Sequence, residues 1–159
     1  MLTEDQIKDV WEGRISAEVR ALYFGDLASS YSTRKQWITG ISFFLSSGAA
    51  ASLIGKAPIW VAVTCSVIVA VITAYAVAVN LDSKIRTMAK LHYAWNQIGL
   101  DYGRLWSHTW SDEAESELME IQHREAEFSE IATTDAPNDQ KRLEKSHDQV
   151  IRMHHLEAA

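Results

Sequence analysis

What this sequence has least of is charge where a soluble protein needs it: across residues 36–81 the single charged side chain is Lys56. A surface helix requires a polar face, so a run of that length without one excludes an ordinary amphipathic surface segment. Cysteine is nearly absent as well. Cys65 stands alone in the middle of the apolar run, which rules out a disulfide framework and leaves it the role of a small lipid-compatible side chain. There is no Gly-rich phosphate loop, no G-x-S-x-G turn and no Cys with a His base in an aqueous segment, so the sequence points away from an enzyme and toward an effector or scaffold. Strand alternation, internal repeats and low-complexity tracts are missing too. Residues 1–35 are charged and lack an apolar core ahead of a cleavage site, so no secretory signal is expected.

The bulk averages conceal this organisation. A mean hydropathy of -0.13 arises from averaging a very apolar block with strongly polar arms. The net charge of -6 is likewise uneven. Acids crowd residues 112–130, where Arg124 is the one Lys or Arg, and a nucleic-acid groove is therefore not expected.

The apolar block divides at Gly55, Lys56 and Pro58. The second part is an uncharged run of about 25 residues, enough to cross a hydrocarbon core of ~30 Å at ~1.5 Å per residue. The first part is shorter and diluted by Thr39, Ser42, Ser46, Ser47 and Ser52, so it spans only with a partner. Two membrane helices joined by a very short hairpin satisfy the backbone in lipid; the competing reading is a buried central hairpin in a soluble protein. Arg34 and Lys35 precede the pair and Lys84, Arg86 and Lys90 follow it, against Lys56 in the turn. By the bias of basic residues this places both termini in the cytoplasm, with Trp37 and Trp60 at the two interfaces.

The flanks read as helical. Thr3 and Gln6 are spaced as a capping box ahead of Ile7, Val10 and Trp11, with a break expected at Gly13. A second start at Ser16 leads into the face Val19, Leu22, Tyr23, Leu27 and Tyr31. Its expected partner is the row Ile85, Met88, His92, Trp95, Gly99, Tyr102 and Trp106, followed by Leu118, Ile121, Phe128 and Ile131. Around Pro137 the pattern breaks. A last helix carries Leu143, His147, Val150 and His154. The expected fold is all-α: an integral membrane protein with a two-helix transmembrane hairpin, an N-terminal amphipathic helix and a C-terminal cytoplasmic helical bundle. Its segments are N-terminal helices over 1–35, spans over 36–55 and 59–81, an outer turn at 56–58, a long helical region over 82–132, a linker at 133–138 and a final helix over 139–159.

Three sets of residues are functional candidates. Ala62, Ser66, Ala70, Ala74 and Ala78 form an i, i+4 ridge of small residues that lets another helix approach closely, either the other span, with Ser47, Ala51 and Gly55 as its counterpart, or a second subunit. Thr39, Ser42 and Ser46 put hydroxyls on one face of the first span, where they either line a pore or bond to their own backbone and pack on the second helix. Arg34, Lys35, Lys84, Arg86 and Lys90 are membrane-surface anchors. Two Glu-x-x-His spacings, Glu120 with His123 and Glu144 with His147, match half of a di-metal bundle motif, but chance supplies such pairs in a chain rich in Glu and His, and no metal or other cofactor is expected. His154 and His155 read as a solvated end.

In this order of parts, with an amphipathic helix through Tyr31, basic Arg34 and Lys35, a tight two-span hairpin and then a long helix opening at Asn80 to Lys84, the chain resembles the SLATT family. These are two-transmembrane effector domains associated with bacterial SMODS nucleotidyltransferases and SLOG sensors. The resemblance rests on architecture over residues 5 to about 130 and carries no catalytic residues. It implies an oligomeric inner-membrane effector of a bacterial conflict or anti-phage system, which perforates or depolarises the membrane when a nucleotide-based sensor fires. No nucleotidyltransferase or SLOG domain is attached, so a separate gene product or the helical bundle itself would supply the trigger. A holin-like lysis protein and a non-conducting membrane anchor are the alternatives; the long C-terminal arm is more than lesion formation requires.

Overall fold

The computed structural model describes residues 1–46, Gly55 and 59–154. Among them every regular element is a helix: α1 Glu4–Ser46, α2 Ile59–Val79, α3 Leu81–Trp106, α4 Ala114–Asp135 and α5 Gln140–Met153. They pack as two units, one of Met1–Leu27 with Arg86–Ala159 and one of Ala28–Ile85.

The first unit is a helical bundle. α1 starts on the expected capping box, with the Thr3 N–H donating to Gln6 Oε1 at 2.9 Å and the Gln6 N–H to Thr3 Oγ1 at 3.3 Å, which satisfies donors the helix cannot use. The expected break at Gly13 does not occur: α1 continues through it. Its glycine serves packing instead. A Cβ there would stand 2.6 Å from Tyr102 Cζ, so only a residue without one lets the Tyr102 ring lie against α1.

The core follows two rows. On α1, Val19, Tyr23 and Leu27 are buried as expected, and Val10, Ala17, Ala21 and Phe24 join them. On α3 the buried row is Met88, Leu91, Trp95, Ile98, Tyr102 and Leu105. This corrects the expected partner row at two places, where Leu91 and Leu105 take the positions assigned to His92 and Trp106, and adds Ile98 next to Gly99. Burial of each such aliphatic side chain contributes about 1.5–3 kcal/mol, which His92 could not match. His92 is exposed at the edge of the seam, with Nδ1 2.7 Å from the Ala21 carbonyl oxygen. Gly99 is buried beside the seam and Trp106 stacks at 5.5 Å on Trp11.

The long region expected over 82–132 is two helices separated by turns at 107–113. The turns are held by the Leu2 N–H donating to the Thr109 carbonyl at 2.9 Å and by His108 Nε2 beside Glu117 Oε2 at 3.0 Å. Glu115 and Glu117 in the first turn of α4 complement its helix dipole. Leu118 and Ile121 are buried and Phe128 and Ile131 half-buried, on the expected seam. α4 runs on to Asp135, so the linker shortens to 136–139. It is pinned to α1: the Tyr23 hydroxyl donates to the Pro137 carbonyl and accepts the Asp139 N–H at 3.1 Å. Asp139 caps α5 by accepting the Arg142 N–H, and Arg142 Nη1 reaches Asp26 of α1 at 2.6 Å. Val150 is fully buried. His154 is not a solvated end: Nε2 lies 2.5 Å from Glu18 Oε2 and the ring meets Trp11 edge-on.

The second unit holds the C-terminal part of α1, α2 and the first residues of α3. α2 ends at Val79, two residues short of the expected span end. Asn80 follows at φ 48°, in the left-handed region that asparagine tolerates better than most residues, and α3 begins directly after it. Lys35 Nζ meets Asp82 Oδ1 at 2.6 Å, and Lys84 Nζ lies 5.9 Å from the centre of the Tyr31 ring.

Candidate functional site

The composition of α2 is almost wholly aliphatic, small or hydroxyl-bearing, which leaves it no face suited to water. Among the described residues one helix is long and apolar enough to cross a membrane, with its apolar window in the stretch Ser66–Trp106 only 6% buried. The central helix of a soluble protein passes the same length and composition test but is mostly buried. Here Trp60, Val63, Val67, Ile68, Val71, Tyr75 and Val77 are all exposed. The two-span arrangement is not reproduced in full: α1 yields no second helix of this kind among the described residues, and residues 47–54 and 56–58, including Ser47, Ala51 and Lys56, lie outside them.

The candidate residues fall as follows. Ser66, Ala70, Ala74 and Ala78 are exposed, while Val69, Ile72, Ala76 and Val79 are the partly covered positions of α2. Among the described residues the small ridge is the less covered side of α2, and Val69, Ile72, Ala76 and Val79, at helical spacing, are the more covered one. The side chains of Ala62, Cys65 and Ser46 lie outside the description. Thr39 is exposed and Ser42 half-buried, so the two hydroxyls described do not share one environment. All five basic anchors, Arg34, Lys35, Lys84, Arg86 and Lys90, are exposed. Lys35 is paired with Asp82 and Lys84 lies against Tyr31. Trp37 and Trp60 are both exposed.

In the bundle unit charged side chains form a second, part-buried arrangement that sequence spacing did not single out. The Arg20 guanidinium lies 4.4 Å over the Trp95 ring, a cation–π distance, and its Nη1 donates to Glu125 Oε1 and Ser129 Oγ, each at 3.2 Å. Tyr102 donates its hydroxyl to Glu125 Oε2 at 2.9 Å. Burial, then the Glu125 carboxylate, push the Tyr102 phenol well above its ordinary range. The carboxylate thus has both oxygens engaged. Arg20 sits mid-helix between Val19 and Ala21, and nothing in the sequence distinguishes it from a solvated arginine.

Glu120 and His123 are exposed on α4, and Glu144 and His147 on α5. Among the described residues no three His, Cys, Asp or Glu side chains converge as a metal-holding group. No known family, curated protein or solved structure matches this chain.

Proposed function

We propose that the chain is an integral membrane effector. α2 and the apolar C-terminal part of α1 form a two-span hairpin in a bacterial inner membrane, both termini are cytoplasmic, and the helical bundle is a cytoplasmic module. Subunits associate in the membrane, and a signal from a nucleotide-based sensor, encoded separately, rearranges the hairpins to perforate or depolarise the membrane. The observation that carries this reading is the uncovered apolar surface of α2, which in water would be an aggregation liability and in lipid needs no cover. The exposed row Ser66, Ala70, Ala74 and Ala78 supports association between subunits, because small residues allow the close backbone approach on which helix pairing in lipid depends. The order of segments supports the effector class through its resemblance to the SLATT family.

The test is inducible expression in bacteria with membrane potential recorded, alone and together with a sensor that makes the cognate signal. A gated effector depolarises only with the trigger. Depolarisation without any trigger would identify a holin-like protein, and none under either condition a passive anchor.

A further inference from the structure

Two helices of the bundle unit carry outer faces that the described residues leave uncovered. On α3, opposite the buried row, Arg86, Lys90, Tyr93, Leu100 and Arg104 share one side of the helix. Tyr93 is 66% and Leu100 57% exposed. On α4, opposite Leu118 and Ile121, the shared side holds Glu115, Met119, Ala126 and Glu130, with Glu120 and Glu127 on its flank. Met119 is 65% exposed. Each face is an apolar centre framed by charge, basic on α3 and acidic on α4. His123 is the one side chain on the α4 face able to carry positive charge.

Single exposed apolar residues are ordinary, so the argument rests on how the two faces match. Seven residues separate Tyr93 from Leu100, and seven separate Met119 from Ala126. Two such helices laid antiparallel with Leu100 against Met119 place Tyr93 against Ala126, whose small side chain leaves room for the ring. Arg104, four residues beyond Leu100, then meets Glu115, four before Met119. Lys90, three before Tyr93, meets Glu130, four after Ala126. These charges are not spent inside the chain. Among the described residues Lys90, Glu115 and Glu130 have no ion-pair partner. Arg104 lies 3.4 Å from Asp101, a carboxylate that Arg124 holds more closely at 2.9 Å.

We infer that the bundle unit pairs with a second copy of this chain, the outer face of α3 on one copy lying antiparallel on the outer face of α4 on the next. An anionic bilayer surface would attract the α3 face and repel that of α4, whereas another copy accounts for both. The contact joins two different faces and is therefore heterologous. One helix pair is at the small end of interface sizes, so opposite charge sets its register and salt weakens it. The inference concerns the bundle unit alone and does not depend on α2 crossing a membrane; it adds a contact to the association proposed between spans.

Disulfide trapping tests this on the full-length chain. Two differently tagged copies, both Cys65→Ala, one with Leu100→Cys and the other with Met119→Cys, are co-expressed and oxidised in unfractionated lysate. The readout is then independent of where the chain resides and of membrane potential. A mixed-tag disulfide forms; Tyr93→Cys with Met119→Cys, displaced by about 10 Å along the helix, yields at least tenfold less. Lys90→Glu in the copy with Leu100→Cys lowers the yield about fivefold, the value of one exposed ion pair at its upper end. Glu130→Lys in the other copy does the same, and the two together restore the yield. All five positions are exposed, and restoration shows that neither charge variant has lost its fold. No mixed disulfide, equal trapping from Tyr93→Cys, trapping of Leu100→Cys chains with each other, or no restoration by the paired reversal would overturn the assignment. So would quenching of a bimane label at Leu100→Cys by brominated phosphatidylglycerol in vesicles, which would give the α3 face to a bilayer surface.

Discussion

The two units are built from the same kind of element and treat apolar side chains in opposite ways. In the bundle, α3 buries Met88, Leu91, Trp95, Ile98, Tyr102 and Leu105 and turns Arg86, Lys90 and Arg104 to solvent. In the other unit, α2 leaves Val63, Val67, Ile68 and Val71 uncovered and has no charged residue to turn anywhere. A chain that builds a packed, capped and ion-paired bundle in one unit has not failed to fold in the other. Under the proposed function the two units answer to different solvents, water for the first and hydrocarbon for the second.

Substitutions can break this comparison in either unit. The largest effect is expected in the bundle core. Ile98 is 1% exposed, so Ile98→Ala should cost about 2–5 kcal/mol through lost burial and the cavity left behind, read as a fall in the denaturation midpoint of the bundle. A comparable change in α2 tests the other solvent. Val71 is 64% exposed, and on a water-facing helix Val71→Asp would shift stability by less than about 0.5 kcal/mol. In a bilayer the same change costs about 2.5–3.5 kcal/mol and should move much of the protein into the alkali-extractable fraction.

Smaller effects sharpen the picture of how each unit is tied. Gly13→Ala gains about 1 kcal/mol of helix propensity, yet its Cβ would collide with a Tyr102 ring that is buried and bonded to Glu125. Overpacking of about 1–3 kcal/mol outweighs that gain, so a net destabilisation of the bundle is expected in thermal melts. Lys35→Ala removes the ion pair with Asp82, in which both side chains are about half exposed. The expected loss is no more than about 1 kcal/mol, and high salt should erase the difference between variant and parent.

How much of this was legible in the sequence depended on the distance over which each feature is decided. The all-helical class, the Thr3–Gln6 cap and the Leu118–Ile121 seam are local patterns and could be read directly. The row on α3 was misplaced at two positions because Leu91 lies beside His92 and Leu105 beside Trp106, and only packing against α1 selects between them. Gly13 reads as a helix breaker until Tyr102, far along the chain, supplies the reason for it. The turns at 107–113 contain no proline or glycine to announce them. His154 looked solvated because Glu18 and Trp11, which hold it, lie at the other end of the sequence. The Arg20–Trp95 arrangement was invisible for the same reason, since neither residue is unusual in its own helix.

The account rests on the hairpin crossing the membrane with its turn outside and the start of α3 inside. Cysteines placed at Lys56→Cys and Ser83→Cys, in a Cys65→Ala background, and exposed to an impermeant maleimide in intact cells and in inverted vesicles, measure this directly. The account predicts labelling of position 56 only in intact cells and of position 83 only in inverted vesicles. Labelling of both positions from the same side, or recovery of the protein in the soluble fraction, would contradict it.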